Sequence, residues 1–197
     1  MQDHVRKAMD RDEFNIERKS IWGVKSFFKN KARNLTLTAL LIALVVVFTR
    51  FLAVQMLTVR ISMEFLPIAL TSVLFGPVIG AVCAAVADFL GMLAFPTGGP
   101  YFPGFTLSTA VYAFIYGLFL YKRPLKLSNI MACVLVNVLV VDFILVGLWL
   151  HILWQIPFEA LVVTRAIKCA ILYPVQVITI YYGFNAIKRS VRVNVDE

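Results

Sequence analysis

The chain has 197 residues, 60% of them hydrophobic and 15% charged, with a formal net charge of +8. Soluble domains are nearer 45–50% apolar and about 25% charged, and one of this size could not bury so much apolar surface, which excludes a water-soluble globule. The basic excess does not point to nucleic acid either. It is concentrated in residues 1–33, in KRPLK (122–126) and in KRSVR (188–192), as positive-inside flanks of a membrane domain would be.

The apolar residues come in blocks about as long as a bilayer core is thick, roughly 20 residues each. The ten-residue alternation of polarity that marks a membrane barrel is absent. These features predict an all-α integral membrane protein. Cys83, Cys133 and Cys169 sit in apolar segments with no metal-ligand spacing and read as small packing residues.

Residues 1–33 form a basic tail. Its end, SIWGVKSFFKNKAR (20–33), interleaves Ile21, Trp22, Val24, Phe27 and Phe28 with Lys25, Lys29, Lys31 and Arg33. That mixture suits an amphipathic helix on the inner membrane surface, or simply a topology-setting flank. The first thirty residues are too charged for the apolar core of a cleavable signal.

A membrane domain over residues 34–188 follows, with a short tail at 189–197. Six spans are predicted, at about 35–53, 63–75, 78–95, 106–121, 128–150 and 158–187, with Gly and Pro marking the breaks. The second is short for a crossing, and Gly76-Pro77 makes a tight turn into the third. A cytoplasmic basic tail and an even number of spans put both termini inside, and the two later basic clusters then fall inside as well. FPTGGPYFPGF (95–105) is consequently an outer segment. It holds three prolines and three glycines among aromatic residues, and Pro103 and Gly104 are read as fixing the shape of a gate loop.

Ionisable groups inside a membrane are expensive. The spans contain Arg50, Asp88, Asp142, Arg165 and Lys168, with Glu64 at the start of the second. At about 1.5 Å of rise per residue, all of them lie in the outer half. Two readings follow. Asp88 or Asp142 pairs with Arg165 or Lys168 to bridge helices, or the set lines a polar cavity open to the outside. Tyr101, Phe102 and Phe105, with Trp149 and Trp154, either cap that cavity or form an interfacial aromatic belt. No GxxxxGK[ST], HExxH or GxSxG motif occurs, and His4 and His151 stand in tail and loop segments. Such a chain is equipped to bind rather than to catalyse. Ala39 and Ala43, four residues apart in TALLIALV, offer a surface where another helix can approach closely.

Six short spans, Ala39 and Ala43 at that spacing, and the lack of a nucleotide site resemble the substrate-binding S-components of energy-coupling factor (ECF) vitamin transporters. FPTGGPYFPGFTLSTAVYAFIYGLFLYK (95–122), with its PGFTLS and GLFLYK elements, and EFLPIALTSVLFGPVIGAVCAAVADFLG (64–91) resemble the folate-type members. The resemblance spans about residues 34–188 and implies a six-helix capture subunit in the bacterial cytoplasmic membrane, with no cofactor. Its expected partners are a transmembrane coupling subunit, contacted through Ala39 and Ala43, and two ATPase subunits. For a folate ligand, Asp88 or Glu64 suits the pterin edge, and Phe102 or Phe105 its faces. Asn137 or Gln55 suits amide hydrogen bonds, and Arg50, Arg60, Arg165 or Lys168 the anionic glutamate tail. Tyr101 belongs to the same lining. Other S-component specificities (pantothenate, pyridoxine, hydroxymethylpyrimidine), an intramembrane enzyme and a ligand-free assembly subunit are the alternatives.

Overall fold

Leu35 to Arg50 contains no glycine or proline, and the chain turns helical as it enters that apolar run. In the structure, a computed structural model describing residues 31–51, 54–55, 60–95, 101–123, 126–155 and 158–193, α1 spans Lys31–Arg50. The readings placed on residues 1–30, on the segment 96–100 and on the last four residues lie outside the described residues. After α1 comes a minimal antiparallel ladder, β1 (Val54–Gln55) and β2 (Arg60–Ile61), with Gln55 opposite Arg60. The chain is helical elsewhere, so this ladder is the one departure from the all-α expectation among the described residues.

Helix α2 (Phe65–Phe75) has 11 residues, about 16 Å of rise, and is too short to cross a bilayer core of about 30 Å. Phe65, Pro67, Ile68, Ala69, Thr71, Ser72 and Phe75 are all buried. The helix is packed inside the bundle, touching α1 and the helices over Pro77–Ala94, Pro103–Leu120 and Phe158–Val193, and little of it needs to meet lipid. The predicted turn is present. Gly76 takes φ 91°, a conformation costly for a residue with a side chain, and Pro77 opens α3 (Pro77–Ala94) at the first helical position, where its missing N–H costs nothing.

Helix α4 (Pro103–Leu120) begins three residues before the predicted start. Pro103 and Gly104 therefore belong to the first turn of a helix rather than to a loop. Proline presets the helical φ and needs no donor at that position, and Phe102 before it is extended, as residues preceding proline prefer. Helices α3 and α4 form the most extensive helix pair. At Gly117 a Cβ would come within 2.3 Å of the Pro77 backbone, so glycine is what lets α4 lie against the head of α3. Ser72 Oγ donates to the Ala113 carbonyl at 2.8 Å and ties α2 to the same place.

The fifth rod is continuous but not uniform. It runs as α5 (Leu127–Asn137), a wide π-helical segment Val138–Leu145, and α6 (Val146–Trp154). His151, expected in a loop, is in α6. Helix α7 (Phe158–Val193) closes the bundle against α5, the π segment and α6. Phe65, Ile68, Ala113, Tyr116, Ile130, Cys133, Val134 and Ile180 form the centre of the core. Large apolar side chains such as Leu40, Leu93, Ile144, Ile171 and Tyr182 are exposed on the outside. Among the described residues, four helical stretches, Pro77–Ala94, Pro103–Leu120, Leu127–Trp154 and Leu161–Asn185, are long and apolar enough to cross a membrane.

Candidate functional site

The head of α4 gathers an aromatic group. Phe102 packs edge-on to Phe105 and to Trp149 of α6, with ring centroids 5.7 and 5.6 Å apart. Gly104 is buried beneath them, and a Cβ there would stand 2.3 Å from the Phe102 ring and 2.8 Å from Trp149. The indole N–H of Trp149 donates to Ser108 Oγ at 3.0 Å, and Ser108 donates to the Gly104 carbonyl at 3.0 Å. The rings are thus held by a helix start, a hydrogen-bonded serine and a missing side chain. Tyr101 is exposed and meets Phe89 edge-on at 5.7 Å.

A polar chain runs beside this group. Arg50, the last residue of α1, reaches Asp88 of α3 at 3.8 Å, and its side chain is only 1% exposed. Thr106 donates to the other carboxylate oxygen of Asp88 at 2.7 Å and lies 3.2 Å from the Tyr101 hydroxyl. Phe51 and Phe95 close the same junction with centroids 5.3 Å apart. Asp88 therefore joins α1, α3 and α4. Its partner is Arg50, not the Arg165 or Lys168 that the sequence offered.

A second polar group lies between the π segment and α7. Lys168 Nζ contacts Asp142 Oδ1 at 2.8 Å, and Arg165 Nη1 donates to the Asp142 carbonyl at 3.3 Å. Both cations of the sixth span thus meet the carboxylate-bearing residue of the fifth, as the helix-bridging reading expected. On α4 the Tyr112 and Tyr116 hydroxyls are buried 3.2 Å apart.

The other expected residues are more scattered. Glu64 immediately precedes α2 and is half-buried. Asn137 is fully buried at the end of α5. Its amide nitrogen lies 4.0 Å from the Cys133 sulfur, and its Oδ1 has no hydrogen-bond partner among the described residues. Gln55 and Arg60 face each other in the β ladder, but their side chains lie outside what is described. Ala39 and Ala43 are exposed on α1.

Sequence reasoning missed Thr106 and Ser108, although hydroxyls in the first two turns of an apolar helix carried a usable signal. The π segment that presents Asp142 has no local signature in VLVVDFIL.

Known proteins match this chain across most of its length. The family model described as "ECF-type riboflavin transporter, S component" matches residues 29–186. The folate transporter FolT of Clostridium novyi (strain NT) is 39% identical over 151 residues, covering 77% of this chain and 87% of that protein. The FolT of Leuconostoc mesenteroides subsp. mesenteroides is 30% identical over 166 residues, covering 81% and 88%. A crystal structure of FolT bound with folic acid superposes with a TM-score of 0.75 at 39% identity, over 79% of this chain and 94% of that one. A helical apolar bundle with its polar groups turned inward, matched over this much of its length, belongs to the S components of ECF-type transporters.

Proposed function

We propose that this S component captures folate for uptake by an ECF-type importer. An S component is a substrate-binding transport subunit and not an enzyme. The observation that carries the folate reading is the 39% identity and 0.75 TM-score to a FolT that holds folic acid. The outer aromatic group and the charged residues below it are chemically suited to that ligand.

In this reading six helical rods sit in the bacterial cytoplasmic membrane with both termini inside, and the Phe102, Phe105 and Tyr101 end of α4 faces outward. The pterin stacks on Phe102 or Phe105. Its edge is read by Glu64 or by Asp88, the latter by exchanging its present partners Arg50 and Thr106. Asn137 or Gln55 supplies amide contacts, and Arg50, Arg60, Arg165 or Lys168 serves the glutamate carboxylates. Pro103 and Gly104 hold the gate residues by starting a helix beneath them. Ala39 and Ala43, exposed on α1, contact the transmembrane coupling subunit, and two cytoplasmic ATPase subunits supply the energy.

The family model's own description favours riboflavin as a second reading. Calorimetric titration of the purified, detergent-solubilised chain decides between them. Saturable one-to-one binding of folate that equimolar riboflavin does not displace is the expected result. Riboflavin binding without folate binding would replace the folate reading.

A further inference from the structure

Two cations and one carboxylate share the interior between the π segment and α7. Arg165 is 4% exposed and lies on the same stripe of α7 as the buried Leu161, Leu172 and Gln176. Asp142 lies beside Val138 and Val141, which are 4% exposed each. The Lys168 ammonium is matched by the Asp142 carboxylate at 2.8 Å. Arg165 reaches only the carbonyl of the same residue, at 3.3 Å. Among the described residues, no carboxylate oxygen forms an ion pair with Arg165, and that of Asp142 already serves Lys168. The group therefore carries one positive charge in excess, in a segment read as membrane-spanning.

An uncompensated charge in that setting is costly, and buried charges are kept where they meet a partner. A guanidinium has five N–H donors in a planar fork suited to a carboxylate. Here one of those donors meets a neutral acceptor. The π segment supplies the reason that acceptor exists. The Val146 N–H returns to the Val141 carbonyl, an i→i−5 bond. When ordinary i→i−4 pairing resumes at the next residue, the carbonyl skipped is that of Asp142, the one Arg165 reaches. The wide turn thus presents its carboxylate to one cation of α7 and a backbone carbonyl to the other, which orients the guanidinium while leaving its charge unmatched.

We infer that Arg165 anchors a carboxylate of the bound vitamin, with Asp142 and Lys168 as the pair that positions it. The inference rests on the folate reading and narrows it, selecting one cation among the four candidates. It also gives a physical basis for choosing between the two vitamins that the related proteins name. Folate ends in a glutamate with two carboxylates, whereas riboflavin has none.

The test compares folate with its diamide, in which both glutamate carboxylates are neutralised, by titration of the full chain in detergent. The wild-type protein is expected to bind folate about 10- to 100-fold more tightly than the diamide, the range for a hydrogen bond to a charged group. Arg165→Gln should erase that preference by weakening folate while leaving the diamide nearly unchanged. Arg165→Lys, which keeps the charge, should restore part of it. Equal binding of the two ligands by the wild type overturns the anchor and leaves folate capture standing. So does an Arg165→Gln variant that keeps the wild-type preference. Failure of the wild type to bind folate at all, with riboflavin bound instead, overturns the anchor together with the reading beneath it.

Discussion

Gly117 and Gly104 are defined by what stands where their side chains would be. At Gly117 the obstruction is the backbone of Pro77, which cannot swing aside. Gly117→Ala should therefore destabilise the protein by about 1–3 kcal/mol, the usual cost of overpacking, read as a lower midpoint of thermal unfolding in detergent. Because that contact is at the far end of α4 from the aromatic group, ligand affinity per folded molecule should change little. Gly104→Ala is the converse case. Its Cβ would push the Phe102 and Trp149 rings apart, so a shift in tryptophan emission and weaker ligand binding are expected, with a smaller loss of stability. Wild-type emission and affinity in Gly104→Ala would show that the rings can repack and that the glycine matters only locally. Both glycines were visible in the sequence, but their crowding was not, since it depends on Pro77 for Gly117 and in part on Trp149 for Gly104, each 40 or more positions away.

At the scale of elements, three helices are joined by one carboxylate. Arg50 closes α1, Asp88 lies on α3 and Thr106 is in the second turn of α4. Removing the carboxylate leaves the Arg50 guanidinium buried beside apolar rings, and breaking a buried pair in this way costs about 3–5 kcal/mol. Asp88→Ala should show most of that loss, and Asp88→Asn less, because an amide oxygen still accepts from Thr106. Urea or thermal unfolding of the two variants in detergent checks the order, and equal stability of all three proteins would rule out a joining role. The short α2 belongs to the same scale. Hydropathy sees a run of 11 residues, apolar but for Thr71 and Ser72, and cannot tell a tilted span from a buried one. The burial of seven of them shows that most of α2 is packed against protein. The π segment was equally unreadable, because VLVVDFIL is an ordinary apolar helical run and the change of register is expressed only in its backbone pairing.

The whole molecule, unlike a soluble protein, carries apolar side chains across its outside as well as in its core. Leucine, isoleucine and valine cover the outside, while Arg165, Asn137 and Gln176 are among the residues buried inside. Such a surface is stable only in lipid or detergent, where an apolar exterior carries no penalty and packing of small residues drives helix association. The α1 face bearing Ala39 and Ala43, exposed beside Leu40 and Leu44, is where a second membrane subunit can come close. Replacing both alanines with leucine should leave folate binding unchanged and abolish co-purification with the coupling and ATPase subunits. Retained co-purification would move that interface to another face.

Composition and the order of apolar blocks were sufficient for the class of protein, the six helical rods, the Gly76-Pro77 turn and the presence of charges at one end of the bundle. These are sums over neighbouring residues, and a chain carries them whatever it folds against. The partners of those charges were decided only by the tertiary structure. Asp88 meets Arg50 and not a cation of the sixth span, Asp142 divides its carboxylate and its carbonyl between Lys168 and Arg165, and Pro103 starts a helix beneath the rings it was expected to hold in a loop. Pairing depends on the distance between segments far apart in the chain, and electrostatic and packing energies fall steeply with that distance.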